Sequence, residues 1–390
     1  MNSYSWSFFL YYAAAGLLFP YFPILLRGYG FDYQETSYLS AVRPFIVLCI
    51  PPLLGWAMAR WNWKTRPVLK FCVLLFAATA PLFYLPMSFT LCLLISALHF
   101  IFRVPMKPLL ESLALSHINR GGGHYGRIRI LGSLGFTLTA LLGGKLFEWG
   151  PIYPFVSAYF ICALLCIPFF SNLEEAEIPQ TQKEKRSVFS LNRRQFLFLS
   201  VILLRSLSHT PLMLFLSIFI REELGVEFRW IGFYWLVAVF AEMILLYFYR
   251  NIFQRKHCFL VMGFSLVATM LRLFFMSHVE TPTQVIVLQL LHAFTFASFY
   301  LASIDYVEHL FPGEEKTMGL SLVTSVSLGL SVLIGMNLCG ILEPYLGIRG
   351  LFLAGSGIPI FALILLFILR FMEPKQFQPL NPEINREYTK

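Results

Sequence analysis

Apolar runs about as long as a bilayer is thick recur from one end of this chain to the other. A helix needs roughly 20 residues to cross the hydrocarbon core. Cutting the sequence at its Gly, Pro and charge clusters leaves about twelve such runs. They cover 6–27, 36–59, 67–87, 89–117, 129–149, 152–171, 195–220, 229–250, 257–276, 282–309, 316–341 and 347–371. Lipid offers backbone amides no partners, so each run must satisfy its own hydrogen bonds as a helix. A barrel would show alternating segments about half as long. Composition agrees. Of 390 residues 57% are hydrophobic and only 13% charged, against about 25% charged in soluble domains. The expected fold class is an all-α membrane protein.

The longest polar interruption is NLEEAEIPQTQKEKRSVFSLNRR at 172–194. It divides the chain into an expected six-helix bundle at 1–171, a cytoplasmic linker at 172–194, a second six-helix bundle at 195–372 and a cytoplasmic tail at 373–390. Lys and Arg crowd alternate loops, with Arg60, Lys64, Arg66 and Lys70 in one and Lys183, Lys185, Arg186, Arg193 and Arg194 in another. The intervening loops hold only Arg27, Lys145, Arg221, Arg229 and Arg349. Positive charge stays inside, so both termini are expected in the cytoplasm and the protein in the plasma (inner) membrane. The same pattern accounts for the formal charge of +9 without a nucleic-acid partner. Trp6 to Leu26 reads as a first span, being too long for a leader's apolar core and lacking its basic start. The cysteines lie mostly inside apolar runs and read as small buried hydrophobes. No zinc, nucleophile-elbow or Walker pattern is present, so neither an enzyme nor a metal or other cofactor is expected.

Charge inside a span is costly, about 2.5–3.5 kcal/mol at mid-bilayer on insertion scales. Arg43, Arg103, Arg205, Glu242 and His292 fall roughly 14–20 Å into their spans by helical rise. Arg103, Lys107 and Glu111 recur every four residues and share a helix face. Such a stripe is tolerable only toward a bundle interior or a wet cavity. Gly132, Gly135, Thr139 and Gly143 line one face of the fifth run, and Thr324, Ser327, Ser331 and Gly335 repeat those offsets in the eleventh. Small faces serve close packing or sliding of helices. Leu98-His99 in run four is echoed by Leu291-His292 in run ten, a hint of two related halves.

Tyr125-Gly126-Arg127-Ile128-Arg129-Ile130-Leu131-Gly132-Ser133, with Ala241-Glu242, Leu271-Arg272, Leu291-His292-Ala293-Phe294-Thr295-Phe296 and His209, resembles the phenylpropionate permeases. These are relatives of the lactose permease in the major facilitator superfamily. The resemblance runs from the first span to about residue 370. It implies twelve transmembrane helices in two pseudo-symmetric bundles. It also implies that Glu111 and Arg129 pair at the substrate, that Phe136 stacks on it, and that Glu242, Arg272 and His292 form a coupling cluster. Thr295 stands where the lactose permease has a proton-carrying carboxylate, which moves any coupling toward Glu242. The superfamily's Gly-x-x-x-Asp-Arg loop is represented only by Gly55 and Ala59-Arg60.

The function expected is secondary active transport, proton-coupled, of a small organic solute by alternating access. An aromatic carboxylate is favoured, with a sugar or nucleoside second. Substrate-binding candidates are Arg103, Glu111, Arg129 and Phe136. Coupling candidates are Glu242, Arg272 and His292. Arg43, Lys107, Arg205 and His209 are further intramembrane polar residues. Tyr11, Tyr12, Phe19, Tyr21 and Phe22 are expected to line the apolar part of the pocket. The expected partners are the solute, a proton and the lipid bilayer, and the protein is expected to be a monomer. An uncoupled facilitator, or a receptor or assembly protein on the same scaffold, are the competing readings.

Overall fold

The computed structural model describes residues 3–120, 125–150, 152–175, 191–252, 257–313 and 315–373. Six helices form the first half: α1 (Ser3–Gly28), α2 (Tyr33–Trp61), α3 (Thr65–Thr79), α4 (Phe89–Asn119), α5 (Tyr125–Trp149) and α6 (Tyr153–Ser171). The second half holds α7 (Arg193–Ile218), α8 (Phe228–Ile252), α9 (Cys258–Ser277), α10 (Pro282–Leu290), α11 (Ser298–Leu310), α12 (Glu315–Thr324) and α13 (Ser331–Met372). Helices α10 and α11 are joined by a π-helical turn at Ala293–Ala297 and make one span, Pro282–Leu310. Helices α12 and α13 are joined by another at Ser325–Leu330. The stretch Met318–Met372 has 55 residues, roughly 80 Å at helical rise. It crosses twice, because Gly347 breaks it with φ 65° and ψ 176°. Only glycine takes that backbone geometry without strain. Among the described residues the result is the expected all-α architecture of twelve crossings. Most of the 172–194 segment and the 373–390 tail lie outside the described residues.

Helices α1 and α7 are the most enclosed, with 78% and 72% of their apolar windows buried. The small face of α5 explains how α1 is held. A Cβ at Gly135 would lie 2.3 Å from the Phe9 carbonyl oxygen, so the two backbones touch. Thr139 donates to the Ala13 carbonyl at 2.7 Å. In the other half Gly335 of α13 abuts the side chain of Thr210 of α7. Thr324 and Ser327 instead bond carbonyls of their own turn. These small residues seat helices against one another.

The two halves meet at the end that carries the odd-numbered loops. Helix α5 lies on α8 there, and a Cβ at Gly232 would sit 2.0 Å from the Ala140 carbonyl oxygen. Arg27 grips Glu222 with two bonds, Nε to Oε1 at 3.0 Å and Nη2 to Oε2 at 3.1 Å. Tyr33 adds a bond to the same carboxylate at 2.7 Å, and Arg229 reaches Glu148 at 3.9 Å. The π-helical turn Phe219–Glu223 at the end of α7 presents Glu222 and Glu223. At the opposite end, among the described residues, no hydrogen bond or ion pair joins the halves. There Glu373 accepts from Tyr306 at 2.5 Å and pairs with His309 at 3.1 Å, both within the second half.

Candidate functional site

Glu242 of α8 and the residues around it gather into one polar cluster. Arg272 of α9 donates to Nδ1 of His292 at 3.0 Å and to Oγ1 of Thr295 at 3.1 Å. It also bonds Oε1 of Gln289, whose amide in turn donates to the Tyr234 carbonyl at 2.9 Å. A guanidinium has no acceptor, so Nδ1 of His292 must be unprotonated. The imidazole proton therefore sits on Nε2, which faces Oε2 of Glu242 at 3.8 Å. His292 also stacks between His209, at 5.7 Å, and Phe296, at 5.5 Å.

The π-helical turn Ala293–Ala297 makes this arrangement possible. A π turn disrupts the regular i to i−4 ladder. Here the Thr295 carbonyl accepts from Arg205 of α7 and from Ser265 of α9, the latter at 3.1 Å. Arg205 also lies 5.3 Å from the rings of Phe296 and Phe299. Its charge is thus anchored to a backbone oxygen while it acts electrostatically on Glu242. Phe296 and Tyr300 continue the ring ladder along α11, with centroids 6.2 Å apart.

Across from this cluster, α1 offers a half-exposed stripe of Tyr11, Tyr12, Ala15 and Phe19 along its buried middle. Arg129 of α5 lies over the Tyr12 ring at 4.2 Å and keeps one buried nitrogen without a partner. Gly132 leaves the space, because a Cβ there would come within 2.7 Å of Tyr12 and 3.3 Å of Arg129. Arg129 acts electrostatically on Glu242, and Tyr12 on Tyr300, so the two halves confront each other here. Phe19 meets Trp235 of α8 at 5.1 Å and closes the cleft toward the latched end.

The family model described as the MFS_1 like family matches residues 1–354. The chain belongs to the MFS_1 like family. It is a multi-pass membrane transporter of the major facilitator type. It is 24% identical over 345 residues to the probable 3-phenylpropionic acid transporter of Escherichia coli (strain K12), covering 87% of this chain and 90% of that protein. A shorter match, 31% identical over 140 residues, is to the maltose permease of Geobacillus stearothermophilus, covering 36% of this chain and 35% of that one. The crystal structure of nucleoside transporter NupG superposes with a TM-score of 0.82 at 15% identity, covering 96% of this chain and 100% of NupG.

In this MFS_1 like transporter several expected partnerships are rearranged. Glu111 pairs with Lys107 within α4 at 3.8 Å, while Arg129 takes the face of Tyr12. The four-residue spacing does not make one working stripe. Arg103 is only 5% exposed, whereas Lys107 is exposed. Phe136 is half-buried and its backbone carbonyl packs against Gly16. Tyr21 and Phe22 leave the pocket for the helix interior. Tyr21 donates to the Ala140 carbonyl at 2.7 Å, and Phe22 meets Phe83 and Phe100. His99, the echo of His292, is a core residue held by Thr79 at 2.9 Å and Tyr159 at 2.7 Å. Gln289, Phe296 and Tyr300 join the polar cluster around Glu242 and were not singled out by sequence reasoning. The i, i+4, i+8 spacing of His292, Phe296 and Tyr300 was the available signal. An apolar groove of about 570 Å³ between α2, α3 and α4 lies on a separate face, lined by residues such as Leu54, Trp63, Phe71 and Phe102.

Proposed function

We propose that this protein is a proton-coupled symporter of a small organic solute, with an aromatic carboxylate favoured. The observation that carries this reading is the bond from Arg272 to His292. It fixes the imidazole as a neutral donor aimed at Glu242, so Glu242 is the group left to gain and lose a proton. Thr295 accepts from Arg272 where a carboxylate would otherwise neutralise it, which keeps the cationic charge near Glu242. When Glu242 is charged it is drawn toward Arg129, Arg205 and the edge of His292. When protonated it is released from them. Loading and unloading of solute beside Arg129 can therefore be tied to the charge of one carboxylate.

The cleft between Tyr11, Tyr12 and Arg129 on one side and Phe296 and Tyr300 on the other suits a flat ring with a polar end. Aromatic faces supply the apolar contact, and a guanidinium matches a carboxylate and stays charged. The similarity to a probable 3-phenylpropionic acid transporter supports the same substrate class. With the odd-numbered loops outside, the latched end faces outward and the structure is the inward-facing arm of an alternating-access cycle. In this reading residues 1–171 and 195–372 are the two rocking bundles.

The test is uptake of 3-phenylpropionate, uridine and maltose into proteoliposomes with and without an imposed inward proton gradient. Accumulation of the aromatic acid only under the gradient is expected. Accumulation of uridine or maltose in its place would reassign the substrate, and gradient-independent equilibration would make the protein a facilitator.

A further inference from the structure

One pair of cations in the first half has no use in the coupling cluster. Arg103 of α4 is 5% exposed, and its Nε and Nη2 are buried without hydrogen-bond partners. Its guanidinium lies 5.7 Å from the centre of the Tyr11 ring and 6.0 Å from that of Phe76. Arg43 of α2 acts electrostatically on the same neighbourhood, where Arg103, Tyr11 and Tyr159 are its charge neighbours. It also lies 5.7 Å from the Phe19 ring centre. Among the described residues neither arginine makes an ion pair.

Other arginines, buried or not, have partners of the protein's own. Arg272 has Gln289, His292 and Thr295. Arg205 has the Thr295 carbonyl. Arg27 and Arg349 have Glu222 and Glu223. Tyr159 cannot serve Arg43 or Arg103 as a counter-charge. Thr79 spends its hydroxyl proton on the Leu75 or Phe76 carbonyl, so it accepts from Nδ1 of His99. His99 then accepts through Nε2 from the Tyr159 hydroxyl, and the phenol stays neutral. Arg103 is buried and Arg43 half-buried, both beside aromatic rings and, among the described residues, with no anion of the protein's own. A buried cation in that state calls for a partner from outside.

We propose that Arg43 and Arg103 together hold the carboxylate of the transported solute, beside Tyr11, with its apolar body lying along the Tyr12–Phe19 stripe of α1. This rests on the reading of the protein as an organic-solute transporter and specifies which residues take the charged end. Arg129 is then left to the Glu242 side of the cleft. The occupant is an organic monoanion with an aromatic or aliphatic body. An inorganic anion shares the head-group chemistry but gains nothing from the ring-lined wall.

The experiment uses purified full-length protein in chloride-free buffer and follows thermal unfolding and calorimetric binding. The probes are 3-phenylpropionate, its uncharged amide, and chloride. Wild type is compared with Arg43→Gln, Arg103→Gln and Arg103→Lys. Wild type is expected to bind the acid and to prefer it to the amide. Each Gln variant should weaken the acid at least ~10-fold and leave the amide unchanged, with Arg103→Lys intermediate. Without ligand, the Gln variants should melt at or above the wild-type temperature, because an uncompensated buried charge has been removed. Acid binding undiminished in both Gln variants overturns the assignment while leaving the aromatic-acid reading intact. A lowered melting temperature with unchanged acid preference makes the pair structural and overturns it as well. Stabilisation by chloride alone, uncompeted by the acid, assigns the site to an inorganic ion and refutes the carboxylate. Wild type that binds none of the acid fails the substrate reading itself.

Discussion

Arg272 donates to Nδ1 of His292 at 3.0 Å, and this bond decides which nitrogen of the imidazole carries the proton. Nε2 points at Glu242, 3.8 Å away. Protonating His292 on both nitrogens would require Arg272 to let go, and in the proposed mechanism the histidine therefore orients the carboxylate and leaves the proton to Glu242.

Glu242→Gln should abolish accumulation driven by a proton gradient while counterflow exchange of preloaded substrate persists. Proteoliposomes with and without the gradient provide the measurement. Gradient-driven accumulation by the Gln variant would remove Glu242 from the coupling role.

Arg129→Lys should lower uptake at least ~10-fold, because an ammonium cannot reproduce the planar stacking of the guanidinium on Tyr12. Initial rates at matched expression test this. Wild-type rates in the Lys variant would take Arg129 out of the site.

Gly132→Ala acts on the same contact from behind. The added methyl meets Tyr12 and Arg129 at less than van der Waals separation. Losing the cation–π contact costs about 1 kcal/mol, or roughly fivefold in affinity. Calorimetry on the purified variant reads the change, and unchanged affinity would mean that Tyr12 adjusts freely.

Arg27→Gln should loosen the latched end. The pair is bidentate but about a third exposed on each side, so its worth is about 1 kcal/mol or less. A shift of at most about fivefold toward the open arrangement follows, and it should shrink in high salt. Spin labels at Thr90 and Thr283, with the native cysteines replaced, report the distance between the halves at that end. A distribution identical to wild type at low salt would show that the helix contacts close this end without the ion pair.

Gly232→Val should hold the same end apart far more strongly, since even a Cβ would meet the Ala140 carbonyl oxygen at 2.0 Å. Those labels should report a longer distance, and transport should fall to near background. Normal cycling with the valine in place would mean that α5 and α8 do not come this close in the membrane.

The spans, their number and the break near residue 347 were legible in the chain alone, because bilayer thickness imposes run lengths and glycine and proline mark their ends. The gathering of Glu242, Arg272 and His292 into one polar cluster was legible too, through resemblance. Tertiary structure decided who meets whom. Glu111 turns to Lys107, Tyr21 and Phe22 turn into the helix interior, Arg205 is tied to a carbonyl in a π turn, and Arg43 comes within electrostatic reach of Arg103. Each of these depends on the rotation and register of one helix against another. A hydrophobic run specifies that a helix crosses the membrane, but its near-uniform apolar surface leaves the facing of its few polar residues to the packing of its neighbours.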